Sequence, residues 1–337
     1  MLAVILAACT PDPTTATDGT DGPTGTSDTH TTPPSTTGTT GATGDTATTT
    51  TPTIGFDCTS LPAGPYQVDT YPIVTTEDFD FDALGSLVYS DYTNFIAVDS
   101  NGAQSVIAPG IEDTRGIQIL SDGNIAAAYI TQGRVGYTDR LTGASVTLVG
   151  GLSAPNAMDV GTGDVMYVSE TGSNRRVISY DPATDETAVV ADGFVYPNGL
   201  ALNQEQTILY VGDSGALQTG GRGLYRIVKD EATGEWGDKE LIVDPDGPYD
   251  GIEVDVCGNV YVVEFSNGKL QRFDPDTLEA TLLVDLNDSA QFLWNAVRWG
   301  SGRGIWARDV LYVTDRHQVF GVHVGVPGRD QPVDAMP

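Results

Sequence analysis

A unit of about 40 residues recurs six times along this chain, and a period of this length restricts the fold to a few repeat architectures. Each unit opens with a short polar entrance and later contains an apolar run with a tyrosine. In the unit Tyr196–Gly215, Asn198 and Gly199 are predicted to form an entrance turn, and Ile208–Val211 is the apolar run. The six runs are LVYSD (87–91), IAAAY (125–129), VMYVSE (165–170), ILYVGD (208–213), VYVVEF (260–265) and VLYVTD (310–315).

Short apolar runs bounded by turn residues are typical of β-strands that are covered on both faces. Repetition of such strands at this period indicates a β-propeller with one four-stranded sheet per blade. The chain is therefore predicted to be all-β, with a six-bladed propeller over residues 56–330. The last unit supplies only about three strands. We expect Tyr66–Val74, which precedes the first entrance, to add the fourth and to leave no open sheet edge.

The N-terminal segment predicts export. Residues 1–9, MLAVILAAC, are apolar and end on small residues before Cys9. This pattern resembles the bacterial lipoprotein signal, in which the cysteine is lipidated, and an ordinary cleaved signal peptide is the alternative. The apolar region is short and lacks a basic start, which leaves open an initiator further upstream. We expect an exported lipoprotein of the cell envelope, attached to the membrane through Cys9.

Residues 10–55 are predicted to be a disordered linker behind this signal. Thr, Gly, Pro, Asp and Ser dominate the segment, and large apolar side chains are nearly absent. Such a composition buries too little apolar surface to offset the entropy lost on ordering. The linker would therefore act as a tether between the anchor and the propeller.

The charge of the chain restricts its partners. The sequence contains 46 Asp and Glu against 16 Lys and Arg, for a net charge of −30. This balance argues against nucleic acids and anionic membrane surfaces. It is compatible with calcium and with neutral or cationic small molecules, and we expect a monomer.

Two of the three cysteines are predicted to form a disulfide. Cys9 belongs to the signal, which leaves Cys58 ahead of the propeller and Cys257 inside it. In an exported protein two such cysteines are usually paired. No C-x-x-C spacing occurs, so a zinc site is not predicted.

The entrances carry the candidate site. The strands of a propeller radiate from a central tunnel, so the first residue of each innermost strand should face that tunnel. Asn-Gly and Asp-Gly are also common turn pairs, which is the alternative interpretation. Turns alone would not explain why four entrances carry oxygen donors: Glu77, Asn156, Asn198 and Asp250. Two carboxylates and two amides suit Ca²⁺ or another divalent cation, with open positions for water or substrate.

The segments EDFDFDALGSLVYSD, PNGLALN…ILYVGDS and DGIEVDVCGNVYVVEF resemble the senescence marker protein/gluconolactonase/luciferin-regenerating enzyme family. Paraoxonases and diisopropylfluorophosphatase are more distant relatives. The resemblance covers about Val68–Val326. It implies a catalytic calcium held by a Glu of the first blade, Asn residues of the third and fourth, and an Asp of the fifth. The corresponding residues here are Glu77, Asn156, Asn198 and Asp250.

Two departures from the family leave the substrate open. Ala154 replaces an arginine that helps to hold the sugar lactone in gluconolactonase-like members, and the paraoxonase histidine pair is missing. Arg115 and Arg316 could take over an orienting role, or could be surface or ion-pair arginines.

The resulting hypothesis is a calcium-dependent hydrolase of neutral lactones or esters. Asp250 would be its general base or nucleophile, and Arg115 and Asn156 would contact the substrate. The alternative is a non-catalytic binding propeller at the cell surface, with a structural calcium.

Overall fold

The computed structural model describes residues 55–215, 223–244, 248–286 and 293–335. The predicted signal, residues 1–9, and all but the last residue of the predicted linker lie outside these ranges. The described residues form an all-β propeller of six four-stranded antiparallel sheets, as the repeat predicts. Neither of the two helices in this part of the chain has the length or the apolar character that crossing a bilayer requires.

The strands and the two short 3-10 helices follow the six sequence units closely. In chain order the strands are β1 Val68–Tyr71, β2 Phe79–Phe81, β3 Leu87–Ser90, β4 Asn94–Val98, β5 Gln104–Pro109, β6 Thr114–Ile119, β7 Ile125–Tyr129, β8 Arg134–Thr138, β9 Ser145–Val149, β10 Pro155–Val160, β11 Met166–Glu170, β12 Arg176–Asp181, β13 Glu186–Ala191, β14 Pro197–Leu202, β15 Ile208–Asp213, β16 Gly223–Lys229, β17 Trp236–Val243, β18 Tyr249–Val254, β19 Val260–Glu264, β20 Lys269–Phe273, β21 Ala280–Asp285, β22 Val297–Trp299, β23 Leu311–Thr314 and β24 Val319–Val322. The 3-10 helices are Thr162–Asp164 and Pro332–Ala335.

Five blades are consecutive in the chain, and the sixth is closed by the first strand. Blades one to five are β2–β5, β6–β9, β10–β13, β14–β17 and β18–β21. The sixth has the order β22-β23-β24-β1, with Val68 opposite Val322 and Tyr71 opposite Val319. The predicted closing strand is therefore confirmed, although it is shorter than Tyr66–Val74.

Apolar side chains fill the spaces between neighbouring blades. Where the sixth blade meets the first, Trp306 is 1% exposed and its ring lies 5.1 Å from Phe81 and 5.3 Å from Tyr312. Its indole N–H donates to the carbonyl of Gly85 at 3.0 Å, so the polar atom of this buried ring is satisfied. Buried side chains of this size each contribute about 1.5–3 kcal/mol, which holds the ring of blades closed.

The innermost strands of blades two to five share one irregularity. Each contains a β-bulge at the entrance residue, between Thr114 and Ile117, Pro155 and Met158, Pro197 and Leu200, and Tyr249 and Ile252. A bulge changes the direction of a side chain relative to a regular strand. The four bulges therefore set how Arg115, Asn156, Asn198 and Asp250 are presented.

The predicted turn at Asn198 and Gly199 is wrong, because both residues lie within β14. Gly199 does not occupy the left-handed region of backbone conformation. A Cβ atom built on it would lie 1.7 Å from the carbonyl oxygen of Asp250 in the next blade. Glycine is required here because two innermost strands approach closely, and this approach brings Asn198 and Asp250 together.

Cys58 and Cys257 form the predicted disulfide, with Cα atoms 5.5 Å apart and 199 residues between them in the chain. Cys257 lies between β18 and β19, so the bond attaches the segment before β1 to the fifth blade. This segment is thus held at two places, by the disulfide and by the pairing of β1 with β24.

The C-terminal segment packs against the ends of the innermost strands that lie away from the entrances. The side chain of Arg329 is fully buried and donates to the carboxylate of Asp159 and to the carbonyl of Val160. Its backbone N–H donates to the carbonyl of Val254 at 3.1 Å. A charged side chain thus fills this end of the tunnel, with its charge matched by a buried carboxylate.

Candidate functional site

One cavity of about 30 Å³ lies where the entrance residues meet, and it is large enough for a water molecule or an ion. Its polar lining comes from all six blades: Glu77, Asp78, Arg115, Asn156, Asn198, Asp250, Asn295 and Arg298. All four predicted calcium ligands and the predicted substrate-binding Arg115 therefore line the same cavity. Their roles remain predictions, but the five residues are brought together from five different blades.

Glu77 is paired with two arginines at the cavity. Its Oε2 accepts from the guanidinium of Arg115 in the second blade and from that of Arg316, which follows β23 in the sixth. Arg316 also donates through Nε to Oδ1 of Asn295 at 2.8 Å. These side chains are partly open to solvent, at 24% for both arginines and 14% for Glu77. Arg115 and Arg316 are thus ion-pair arginines of the site itself.

Asp250 is more deeply buried than Glu77, and Asn295 of the intervening sixth blade contacts both carboxylates. Oδ2 of Asp250 accepts from the amide of Asn295 at 3.1 Å, and no donor among the described residues reaches Oδ1. Burial and the negative charge of Glu77 raise the pKa of the Asp250 carboxyl well above its ordinary value, although Arg316 and Asn295 oppose the shift. Asp250 therefore has one uncommitted oxygen and a raised affinity for a proton, which are properties of a general base.

The amides of Asn156 and Asn198 complete the lining. Asn198 donates only a long hydrogen bond, of 3.4 Å, to the hydroxyl of Ser214. The side chain of Asn156 has no hydrogen-bond partner among the residues that the structure describes. Buried amide groups normally find partners, so two amides with unused capacity beside a cavity indicate that something else binds there.

A buried layer of charge forms the inner wall of the cavity. Arg298, in β22, donates to Asp78 at 2.8 Å and to Glu253 at 3.1 Å. Burial raises the pKa of Asp78, and it raises that of Glu253 to about 7, because desolvation outweighs the attraction of Arg298. Asp78 also accepts from the backbone N–H groups of Phe79 and Ile117, at 2.9 and 3.0 Å. This layer fixes the innermost strands of four blades under the site.

Sequence reasoning identified the entrance residues but missed two contributors. Asn295 is recognisable as the sixth entrance, yet its function of orienting Asp250 and Arg316 depends on side-chain contacts across the tunnel. Arg298 lies three residues later, in the run VRW, where it has the pattern of an ordinary solvent-facing residue in a strand. An arginine at the centre of an otherwise apolar innermost strand was the available signal.

The donor set of the cavity fits calcium. Two carboxylates and the amides of Asn156 and Asn198 are oxygen ligands of the kind that a hard divalent cation prefers. In the part of the chain that the structure covers, no three His, Cys, Asp or Glu side chains cluster as a metal site, so the amides are needed. The carboxylate of Glu77 is shared with two guanidiniums, so a cation would compete with them for this ligand.

Comparisons with known proteins agree with this architecture. Residues 162–286 match the model of the SMP-30/Gluconolactonase/LRE-like region. A gluconolactonase from Xanthomonas campestris aligns with a TM-score of 0.63 and 18% identity, over 79% of this chain and 90% of that one. A luciferin-regenerating enzyme aligns with a TM-score of 0.63 and 16% identity, over 79% and 98%. No curated protein matches the chain.

The calcium-binding protein regucalcin from Agrobacterium tumefaciens shares the fold as well. It aligns with a TM-score of 0.61 and 15% identity, over 78% of this chain and 96% of that one. Identities this low show a common fold, and the family resemblance rests in addition on the matched region. Residues 162–286 therefore match the SMP-30/gluconolactonase/LRE-like region, within a six-bladed propeller whose fold is similar to those of gluconolactonase, luciferin-regenerating enzyme and regucalcin.

Proposed function

We propose that this protein is a calcium-dependent hydrolase of lactones or esters. The observation that carries the proposal is the convergence of Glu77, Asn156, Asn198 and Asp250 on one cavity. The similarity of residues 162–286 to the gluconolactonase-like family supports a lactonase-type reaction. Calcium, when bound to these oxygens, would supply Lewis acidity at the carbonyl group of the substrate.

Asp250 is the residue that we assign as general base. Its Oδ1 is free to accept a proton from water, while the amide of Asn295 holds Oδ2 in place. In the cation-free cavity, burial and Glu77 favour its protonated form. A nearby positive charge favours the ionised form, so Asp250 is competent as a base only when the site is loaded. Asn156, which lines the same cavity, would contact the substrate.

The second candidate is a non-catalytic propeller that binds a partner at the cell surface, with any calcium purely structural. Glu77 is paired with two arginines, and Asp250 accepts from Asn295. The entrance ring is therefore already electrically compensated by the protein, which favours a site that can exist without a cation. This candidate does not require Asp250 to have an uncommitted oxygen.

A turnover screen separates the two candidates. Purified propeller would be assayed on a panel of lactones and aryl esters in calcium and in EDTA, beside Asp250→Asn and the exposed control Asp276→Asn. We expect calcium-dependent turnover that Asp250→Asn abolishes and Asp276→Asn retains. Because Ala154 replaces the family's arginine, gluconolactone should be a poor substrate compared with less polar lactones. Calcium binding without turnover on any member would favour the second candidate.

We also propose that the protein is anchored in the cell envelope through Cys9. The motif LAAC at residues 6–9 and the Thr-rich segment that follows support this location. Incorporation of labelled palmitate into the full chain, and its loss in Cys9→Ser, is the expected result. Equal labelling of both forms would exclude lipidation at Cys9.

A further inference from the structure

We propose that Arg115 and Arg316 bind a carboxylate of the substrate, so that the hydrolase acts on lactones or esters that carry a negative charge. This inference rests on the proposed function and makes its substrate class more specific. It replaces the neutral substrate expected from sequence, because that expectation did not include the contact of Arg115 and Arg316 with the same carboxylate.

The first argument is that the guanidinium groups on this side of the cavity have more hydrogen-bond donors than the protein satisfies. Two guanidiniums share one oxygen, Oε2 of Glu77. Arg115 has a further partner in Asp113, at 3.3 Å, whereas Arg316 also donates to the neutral amide oxygen of Asn295. In addition, Nε of Arg115 is buried and has no hydrogen-bond partner among the described residues. This side of the cavity thus has donors in excess of the acceptors that the protein provides.

The second argument is that the backbone holds this side of the cavity in unusual conformations. Tyr92 and Arg316 both lie in the left-handed region, with φ of 69° and 72°, which non-glycine residues rarely adopt. The backbone N–H of Arg316 is fixed by the hydroxyl of Thr314 at 3.0 Å. The ring of Tyr92 lies 5.8 Å from the guanidinium of Arg115. Such strain is typical of residues placed for binding.

The third argument concerns what happens when a cation enters. A divalent cation bound to Glu77 would compete for the negative charge that now neutralises both guanidiniums. The two guanidiniums would then face the cation and each other without a counterion. An anionic group between Arg115 and Arg316 removes this repulsion, and a planar guanidinium binds a carboxylate with two parallel hydrogen bonds. Cation and carboxylate should therefore strengthen each other's binding, and this coupling must be reciprocal.

The experiment uses benzoate and its uncharged counterpart benzamide as probes, measured by calorimetry on the purified protein. Wild type should bind benzoate more tightly in calcium than in EDTA, and benzamide should show no such difference. In EDTA, Glu77→Gln releases both arginines and should bind benzoate at least about tenfold more tightly than wild type does. The double variant that combines Glu77→Gln with Arg316→Ala should lose this gain. Arg226→Ala, at a surface ion pair, should leave every value unchanged.

The binding measurements in EDTA test this inference independently of the calcium hypothesis. Equal binding of benzoate and benzamide by Glu77→Gln would overturn the carboxylate assignment, even if calcium stabilises the protein and lactones are hydrolysed. A gain in Glu77→Gln together with no effect of calcium on wild type would leave the arginine assignment standing and remove the calcium. Melting curves of each variant identify those that fail to fold. The conservative variant Arg115→Lys keeps the positive charge but loses the planar guanidinium.

Discussion

Arg298 of the sixth blade donates to Asp78 of the first blade at 2.8 Å, although 220 residues separate them in the chain. The same guanidinium reaches Glu253 of the fifth blade and the carbonyl of Phe79 at 3.2 Å. One buried cation therefore joins three blades at the inner wall of the cavity. The cost of burying its charge is offset only while both carboxylates remain in place.

Replacing Arg298 with Met should be strongly destabilising. Asp78 and Glu253 would be left buried without their cation, and loss of one partner of a buried ion pair typically costs about 3–5 kcal/mol. Denaturant unfolding would measure the change in the free energy of unfolding. The matched control is Arg226→Met, whose pair with Glu240 is exposed and should be worth less than about 1 kcal/mol. Similar small effects for both variants would contradict the structural role given to Arg298.

Two carboxyl groups, the buried Glu253 and the partly buried Asp80, should make stability depend on pH. Burial raises the pKa of Asp80 and of Glu253 to about 7, from ordinary values of 3.8 and 4.5. The folded state therefore keeps these protons to a higher pH than the unfolded chain does. Their contribution to stability is fully present below about pH 4 and is lost as the pH rises towards 7.

Glu253→Gln tests this sign directly, because glutamine cannot titrate. Between pH 5 and 8, the free energy of unfolding should fall by up to about 3 kcal/mol more for wild type than for this variant. Urea unfolding at several pH values gives the difference between the two curves. The exposed control Glu240→Gln should parallel wild type throughout. A difference that grows in the opposite direction would show that the ion pair with Arg298, rather than desolvation, controls Glu253.

Gly199→Ala should damage both the fold and the site. The new Cβ would lie 1.7 Å from the carbonyl oxygen of Asp250, so the two innermost strands must separate. Overpacking of this kind costs about 1–3 kcal/mol or more, and here it also displaces Asn198 from Asp250. Gly150→Ala is the control, since its Cβ would meet nothing closer than 3.9 Å. Calorimetric melting, with calcium titration of the folded variant, would measure both effects.

Calcium should stabilise the native protein. Binding to the folded state alone adds about 2.7 kcal/mol at a calcium concentration one hundred times Kd. Asp250→Asn and Glu77→Gln each remove a charge from the ligand set, so both should reduce the calcium-dependent rise in Tm without unfolding the propeller. Asp276→Asn should respond as wild type does. A wild-type Tm that is the same in calcium and in EDTA would show that no cation binds the ring.

The disulfide should contribute substantially to stability. It links residues 199 positions apart, and the chain-entropy relation gives a contribution of about 5 kcal/mol for a loop of this length. Cys58→Ser combined with Cys257→Ser should therefore lower the free energy of unfolding by several kcal/mol and leave lactone turnover intact at low temperature. If the reduced wild type unfolds at the same denaturant concentration as the oxidised protein, the bond does not stabilise the fold.

Local sequence contained the information for the blades and for the ring of entrance residues. Runs such as ILYV (208–211) are apolar because both of their faces pack, and the first residue of an innermost strand must face the tunnel in any propeller. The backbone at Asn198 was harder to predict, because a bulge and a turn both tolerate Asn-Gly. The bulge and the turn are distinguished only by the close approach of Gly199 to the carbonyl oxygen of Asp250 in the next blade, which the closed ring imposes.

Charged contacts across the tunnel could not be read from sequence at all. Arg316 and Glu77 are 239 residues apart, and nothing in the segments around them encodes the pairing. Their side chains meet because the sixth blade closes against the first. The contact with Glu77 makes Arg316 part of the site.

Closure of the ring by β1 also has a consequence for biosynthesis. Val68–Tyr71 is translated well before its partner Val319–Val322, so it waits unpaired while nearly the entire propeller is made. Pairings between such distant segments form slowly, because the intervening chain must be ordered first. During this interval the emerging chain presents an apolar edge that invites association with other chains. A chaperone that covers this edge until the last strand is made should therefore limit association with other chains.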